Sequence, residues 1–153
     1  MHFSQHEQML RTVNSDGRGI LESLNRSRCL ELMRDAPVGR VGVSITALPV
    51  ILPVNFVLVR EKIVFRTIPG TKLDAAAVGA VVAFEVDSYS PDGTSGWSVL
   101  VQGPCYEITD PAELAAMKAI PLRPWAFIED VAQRFVCIET SLVTGRRFQR
   151  PQS

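Results

Sequence analysis

Three apolar runs follow one another with almost nothing between them: Val38 to Ile45, Val50 to Val59 and Ile63 to Thr67. Ala47-Leu48-Pro49 separates the first two, and Arg60-Glu61-Lys62 the second two. Parallel strands need a crossover of about a dozen or more residues, so connections this short call for antiparallel hairpins. A doubly wound sheet is disfavoured for the same reason. Val81 to Val86, Trp97 to Ile108 and Phe135 to Thr140 are further strand-like runs, and Thr144 to Phe148 finishes the fold. Gly103-Pro104 marks a bend inside the longest of them, at a bulge or a barrel corner. Pro53 puts an edge or a bulge beside Asn55 in the second run. With few helices between the strands, the pattern predicts a mainly β chain closed into a small antiparallel barrel.

Short helices flank these strands. Asn25 caps one that runs to about Arg34 and stops before Pro37. Asp110-Pro111 supplies the N-cap and first position of another, ending near Ala119. Pro121-Leu122-Arg123-Pro124-Trp125 follows as a rigid aromatic loop, a kind of segment that carries sites. Residues 1–20 are polar, with the loop signal Asn14-Ser15-Asp16-Gly17, and are expected to form a flexible tail. Residues 21–150 are expected to form a single domain, as suits a chain of 153 residues.

Composition excludes several function classes. Lys+Arg and Asp+Glu balance at 16 each, so no basic excess recommends nucleic acid or an anionic membrane. Cys29, Cys105 and Cys137 are too scattered for a zinc site or a disulfide framework, which suggests a reduced, cytoplasmic setting. There is no metal-ligand motif, no membrane-length apolar run and no signal peptide pattern. Both histidines, His2 and His6, lie in the N-terminal segment. A body without histidine argues against Ser-His-Asp, Cys-His and His-rich metal chemistry. Any catalysis would then be carried by a bound cofactor.

The most suggestive local stretch is Ile63 to Ala77. Its strand ends at Arg66-Thr67, Pro69-Gly70 forms a turn, and Thr71 can cap a helix, with Asp74 as capping-box partner. Lys72 then falls in the first turn, where a cation is normally unfavourable. An anion held between Lys72 and Arg66 would account for it, and phosphate is the usual anion at such a place. Two solvated cations on an ordinary strand–helix connection is the plainer alternative.

Taken in order, "ILPVNFVL", "IVFRTIPGTKLDAAA", "VAFEVD", "GWSVLVQG", "LRPWAF" and "VTGRRF" resemble the pyridoxamine 5′-phosphate oxidase-like family of flavin-binding proteins, and most of all its small bacterial, nitroimidazole-resistance-like branch. The match runs from about Leu30 to Phe148. This resemblance implies a six-stranded antiparallel split β-barrel of Greek-key type, with a few short flanking helices. It also implies a homodimer with FMN at the subunit interface and a flavin-dependent oxidoreductase acting on a small molecule. Deazaflavin-dependent reduction, or a non-catalytic flavin-binding module, is the alternative on the same fold. By resemblance, Arg66, Thr67, Thr71 and Lys72 correspond to the phosphate and ribityl cradle. Val54, Asn55 and Phe56 correspond to the strand whose backbone lines the flavin ring. Trp97, Ser98 and Trp125 correspond to further flavin contacts, with Arg123, Arg146 and Arg147 in segments near the site. Trp97 reads equally well as barrel packing, since tryptophan is commonly core or interface, and alternation points it away from Ser98. The family's own oxidases carry an arginine where this chain has Thr71, and its nitroimidazole-resistance members a site histidine that this chain lacks.

Overall fold

The computed structural model describes residues 19–122 and 132–151. Its elements run β1 (Ile20–Leu24), α1 (Arg26–Arg34), β2 (Val38–Ile45), β3 (Leu48–Val59), β4 (Lys62–Thr67) and α2 (Lys72–Ala77). They continue with β5 (Val81–Tyr89), β6 (Ser95–Glu107), α3 (Pro111–Lys118), β7 (Arg134–Ile138) and β8 (Leu142–Gln149). The strand order is β1-β8-β6-β5-β2-β3-β4-β7, and β6 pairs again with β7. That second pairing closes six strands, β6-β5-β2-β3-β4-β7, into an antiparallel barrel. β8 and β1 extend from it along β6.

The hairpin turns are tighter than the sequence suggests. β3 begins at Leu48, so only Thr46-Ala47 separates it from β2, and only Arg60-Glu61 lies between β3 and β4. All four turn residues have positive φ, at 47°, 63°, 48° and 64°. This is the type I′ geometry whose twist matches the flanking strands. It is an uncommon conformation for residues with a Cβ.

Strand β6 serves both halves of the barrel. Its first part pairs with β5 and β8, and Cys105–Glu107 pair with β7. The change of partner falls at Gly103-Pro104, the bend expected from sequence. A Cβ on Gly103 would collide with the backbone oxygen of Glu139, so only glycine lets the chains approach here. Pro53 lies where β3 pairs with β2 alone, since β4 joins β3 only from Phe56 onward. Its missing N–H therefore leaves no gap in a ladder, which favours the edge over the bulge.

Inward residues alternate along each strand and fill the barrel. Phe65, Phe84, Ile63, Val41, Val99 and Ile138 are fully buried. Phe56 meets Phe84 edge-on, with centroids 4.9 Å apart. Gly39 leaves room for the Phe84 ring, which occupies the space of a side chain there. Each such aromatic contributes roughly 1.5–3 kcal/mol through burial. A second cluster of Val64, Ile108, Met117, Leu122, Phe135 and Cys137 lies on the outer side of β4 and β7. There α3 covers the sheet.

No strand is apparent from sequence at Ile20–Leu24, because its residues are largely exposed and lack alternation. Backbone pairing with β8 holds β1 in place. As a test of the turn geometry, Ala47→Gly should raise unfolding free energy by about 0.5–1 kcal/mol, because glycine relieves the left-handed conformation. Urea titration measures the gain.

Candidate functional site at the parting of two strands

β3 and β4 pair from Phe56↔Phe65 to Val59↔Lys62 and then separate. Past that point Asn55 and Val54 pair with β2, whereas Arg66 and Thr67 pair with Phe135 and Arg134 of β7. The notch therefore has the Val54-Asn55 backbone on one side and the Arg66-Thr67 backbone on the other. Val54 and Phe56 turn their side chains into the core, and Asn55 is turned the other way.

Beyond Thr67 the chain makes a turn with Pro69 and Gly70 at its centre. The Thr71 N–H donates to the Ile68 carbonyl at 3.2 Å, and Gly70 has φ of 83°. Proline followed by a positive-φ glycine fits a type II turn. Thr71 is the N-cap of α2: its Oγ1 accepts from the Asp74 N–H at 3.3 Å and donates to the Ile68 carbonyl at 2.8 Å.

Asp74 departs from its expected capping-box role. The Thr71 N–H is already engaged by Ile68, and the Asp74 carboxylate reaches past it. Asp74 Oδ2 accepts from the Gly70 N–H at 3.3 Å and from Arg134 Nη1 at 3.2 Å, while Oδ1 accepts from the Thr67 hydroxyl at 2.8 Å. Arg134 is held in turn by Glu107 at 3.4 Å. This buried carboxylate ties β4, the turn, α2 and β7 together. Arg134 was not singled out from sequence, since only the β4–β7 register brings it beside Thr67.

These bonds occupy the Thr67 and Thr71 hydroxyl protons internally. The cations are placed differently. Lys72 is exposed and makes no ion pair among the described residues. Arg66 shares the outer face of β4 with Val64, donates from Nη1 to the Leu122 carbonyl at 3.1 Å and stacks 5.1 Å above Phe135. Its Nε is buried without a hydrogen-bond partner among the described residues. Arg66 is thus an anchored guanidinium with an unused, desolvated donor, not a solvated charge. A buried donor of this kind costs about 1–3 kcal/mol unless something accepts from it.

The other expected residues lie elsewhere on the chain. Trp97 lines a hollow of about 500 Å³ together with Tyr89, Phe148, Arg28 and Arg147. Ser98 is exposed on the opposite face, level with Asp87 and Arg146 on the neighbouring strands. One chain does not bring Trp97 and Ser98 to one pocket. Arg123 and Trp125 lie outside the described residues. Another cavity, of about 360 Å³, lies beneath α3, walled by Val64, Ile108, Met117 and Cys137. At its side Lys62 Nζ donates to Tyr106 Oη at 3.0 Å, and Tyr106 donates to Glu139 at 2.8 Å. These bonds, to Tyr106 first and Glu139 second, raise the Lys62 pKa, and the Tyr106 and Lys62 donors lower that of Glu139.

All three cysteines are free and buried. Burial raises each thiol pKa, that of Cys105 to about 12. These are packing residues, not thiolate nucleophiles. No group of three metal-ligating side chains occurs among the described residues.

The family model for pyridoxamine 5′-phosphate oxidase matches residues 25–147. The chain belongs to the pyridoxamine 5′-phosphate oxidase family. The uncharacterized protein Rv0080 of Mycobacterium tuberculosis is similar at 34% identity over 142 residues, covering 90% of this chain and 91% of that protein. The structure of an FAD binding protein from Mycobacterium smegmatis is similar at 33% identity and a TM-score of 0.74, covering 84% of this chain and 98% of that one. A conserved protein of unknown function from Corynebacterium diphtheriae is similar at 30% identity and a TM-score of 0.69, with the same coverage, 84% and 98%. The family match includes the β3–β4 notch, the Pro69-Gly70 turn and β7.

The role given to Asp74 has a direct measure. Asp74→Ala should lower stability by about 1–3 kcal/mol, because Gly70 N–H, Thr67 hydroxyl and Arg134 lose their common acceptor. Asp74→Asn, which keeps an acceptor oxygen, should lose less in the same denaturation series.

Proposed function

We propose that this chain is an FMN-binding oxidoreductase whose flavin phosphate is held at the notch between β3 and β4. The observation that carries the reading is the pair of cations there: Lys72 exposed in the first turn of α2, and Arg66 with a buried donor lacking a partner among the described residues. An anion would satisfy both. The Lys72 and Leu73 N–H groups of the helix start have no intrahelical acceptor and would add donors. Thr67 and Thr71 would shape the cradle through Asp74 and Ile68, with their backbone as the ligand surface. On the other side, the Val54-Asn55-Phe56 backbone would run along the flavin ring. FAD binding by the Mycobacterium smegmatis relative supports a flavin in general. A bound flavin supplies hydride and single-electron transfer, while the protein anchors, orients and excludes water.

The same proposal makes the protein a cytoplasmic homodimer with its cofactor sites between the subunits. The outer face of the β8-β6-β5-β2-β3 sheet supports this. Val81 is 76% exposed there, Ile51 70% and Leu142 54%. Registered neighbours Leu142, Gln102, Ala83, Gly42 and Ile51 form one row across five strands. Exposed apolar surface of this kind marks an association site. Ser98 and Arg146 share this face. No helix among the described residues is long and apolar enough to cross a membrane.

The purified protein should bind FMN with a visible flavin spectrum, and Lys72→Ala should weaken that binding by roughly 1.5–3 kcal/mol, the scale of a charge-assisted hydrogen bond. Colourless protein that takes up no FMN or deazaflavin at micromolar concentration would refute the reading. Tight binding of the deazaflavin alone would exchange the cofactor. Ile51→Glu should shift the sedimentation equilibrium from dimer towards monomer; a monomeric parent protein would remove the dimer from the proposal.

A further inference from the structure

None of the residues lining the cavity beneath α3 belongs to the notch, and the flavin reading makes no use of it. Its floor is apolar and buried, formed by Val64, Ile108 and Met117. One wall is the end of the β3–β4 hairpin, with Arg60 and Lys62, and the other is α3. On α3, Ala112 and Ala116 stand one turn apart, so they share a face. Their small side chains leave that wall low and the mouth open. The volume of about 360 Å³ sits at the small end of the range of roughly 300–1,000 Å³ typical of ligand sites.

The two walls carry opposite charges that do not meet. Arg60 makes no ion pair among the described residues. The Lys62 ammonium spends donors on Tyr106 and Glu139, each at 3.0 Å, and has a third to offer. Facing them from α3 is Glu113, three positions after the N-cap Asp110. A carboxylate there can turn back to close a capping box. Only its backbone N–H is engaged, donating to Asp110 at 2.9 Å, and its carboxylate has no partner among the described residues. Burial is the main cause of the raised Cys137 thiol pKa, but both charges reach that thiol on the cavity lining, Lys62 lowering its pKa and Glu113 raising it. Cation and anion thus look onto one buried spot from opposite walls.

We propose that this cavity binds a free α-amino acid with an apolar side chain. Arg60 and Lys62 hold its carboxylate, Glu113 holds its ammonium, and the side chain lies on Val64, Ile108 and Met117. A simple apolar carboxylate would set its charge against Glu113, and a simple amine would set its charge against Arg60 and Lys62. The site therefore selects by repulsion as well as by attraction. Only a ligand with both signs on neighbouring atoms and an apolar group behind them satisfies every wall. The site needs no flavin.

Calorimetric titration of the intact protein with L-leucine and L-phenylalanine tests this. Two leucine analogues are titrated beside them: 4-methylpentanoate, which lacks the ammonium, and 3-methylbutylamine, which lacks the carboxylate. At least one amino acid should bind saturably at millimolar concentration or below. Both analogues should bind at least about tenfold more weakly, the scale of one lost charge-assisted contact. Glu113→Gln should weaken the amino acid by about the same factor without weakening 4-methylpentanoate, and Arg60→Gln should weaken it while sparing 3-methylbutylamine. Ala116→Trp fills the mouth from an exposed helix position and should abolish binding with an unchanged melting temperature. No saturable binding of either amino acid would overturn the proposal. So would analogues that bind as tightly as the amino acids, or binding that survives in Ala116→Trp. If Ala116→Trp lowers the melting temperature, the two charge variants decide: unchanged amino-acid affinity in both overturns the site.

Discussion

A single buried carboxylate decides how the candidate site is held. Asp74 accepts from a strand hydroxyl, a turn amide and an arginine of a third segment. Without that common acceptor, the Pro69-Gly70 turn would be fixed only by its own hydrogen bonds, and the start of α2 would be poorly located. A six-residue helix has little stability of its own. Its position comes from these bonds and from packing of Ala77 into the core. The orientation of Lys72 is thus set from below, by groups that need not touch a ligand.

The second constraint is the way β3 and β4 exchange partners. A fully paired barrel would offer no backbone to a ligand between these strands. Here the ladder ends at Phe56↔Phe65, and each strand continues on a different neighbour. This creates the notch without a long loop. It also explains how Val54 and Phe56 can be core residues by side chain and site residues by backbone.

Much of this was legible in the sequence where a residue acts through local chemistry. Asn25, Thr71 and Asp110 cap the helices they precede. Gly103-Pro104 bends the long strand, and the short connections give hairpins. Partnerships set by three-dimensional register were not legible. Nothing near Arg134 in sequence announces its bond to Asp74, sixty positions away. Likewise β1 is held by pairing with β8, a contact that leaves no periodicity behind. The anchoring of Arg66 by Leu122 and Phe135 belongs to the same class. Residues 1–18 and 123–131 lie outside the described structure, so Trp125 gains no position from it.

The closure of the barrel has a mechanical side. The β4–β7 pair is joined to the rest of the barrel by two short ladders, three residue pairs to β6 and four to β3. β2 and β5 are likewise joined by only three pairs, whereas β2–β3 has eight and β5–β6 nine. Bending is cheapest where the fewest bonds resist it, so the barrel divides into three firmly paired couples, β2–β3, β5–β6 and β4–β7, joined at short seams. Arg66 and Arg134 both ride on the β4–β7 couple, so any give at its four-pair seam with β3 moves the two arginines together along one edge of the notch.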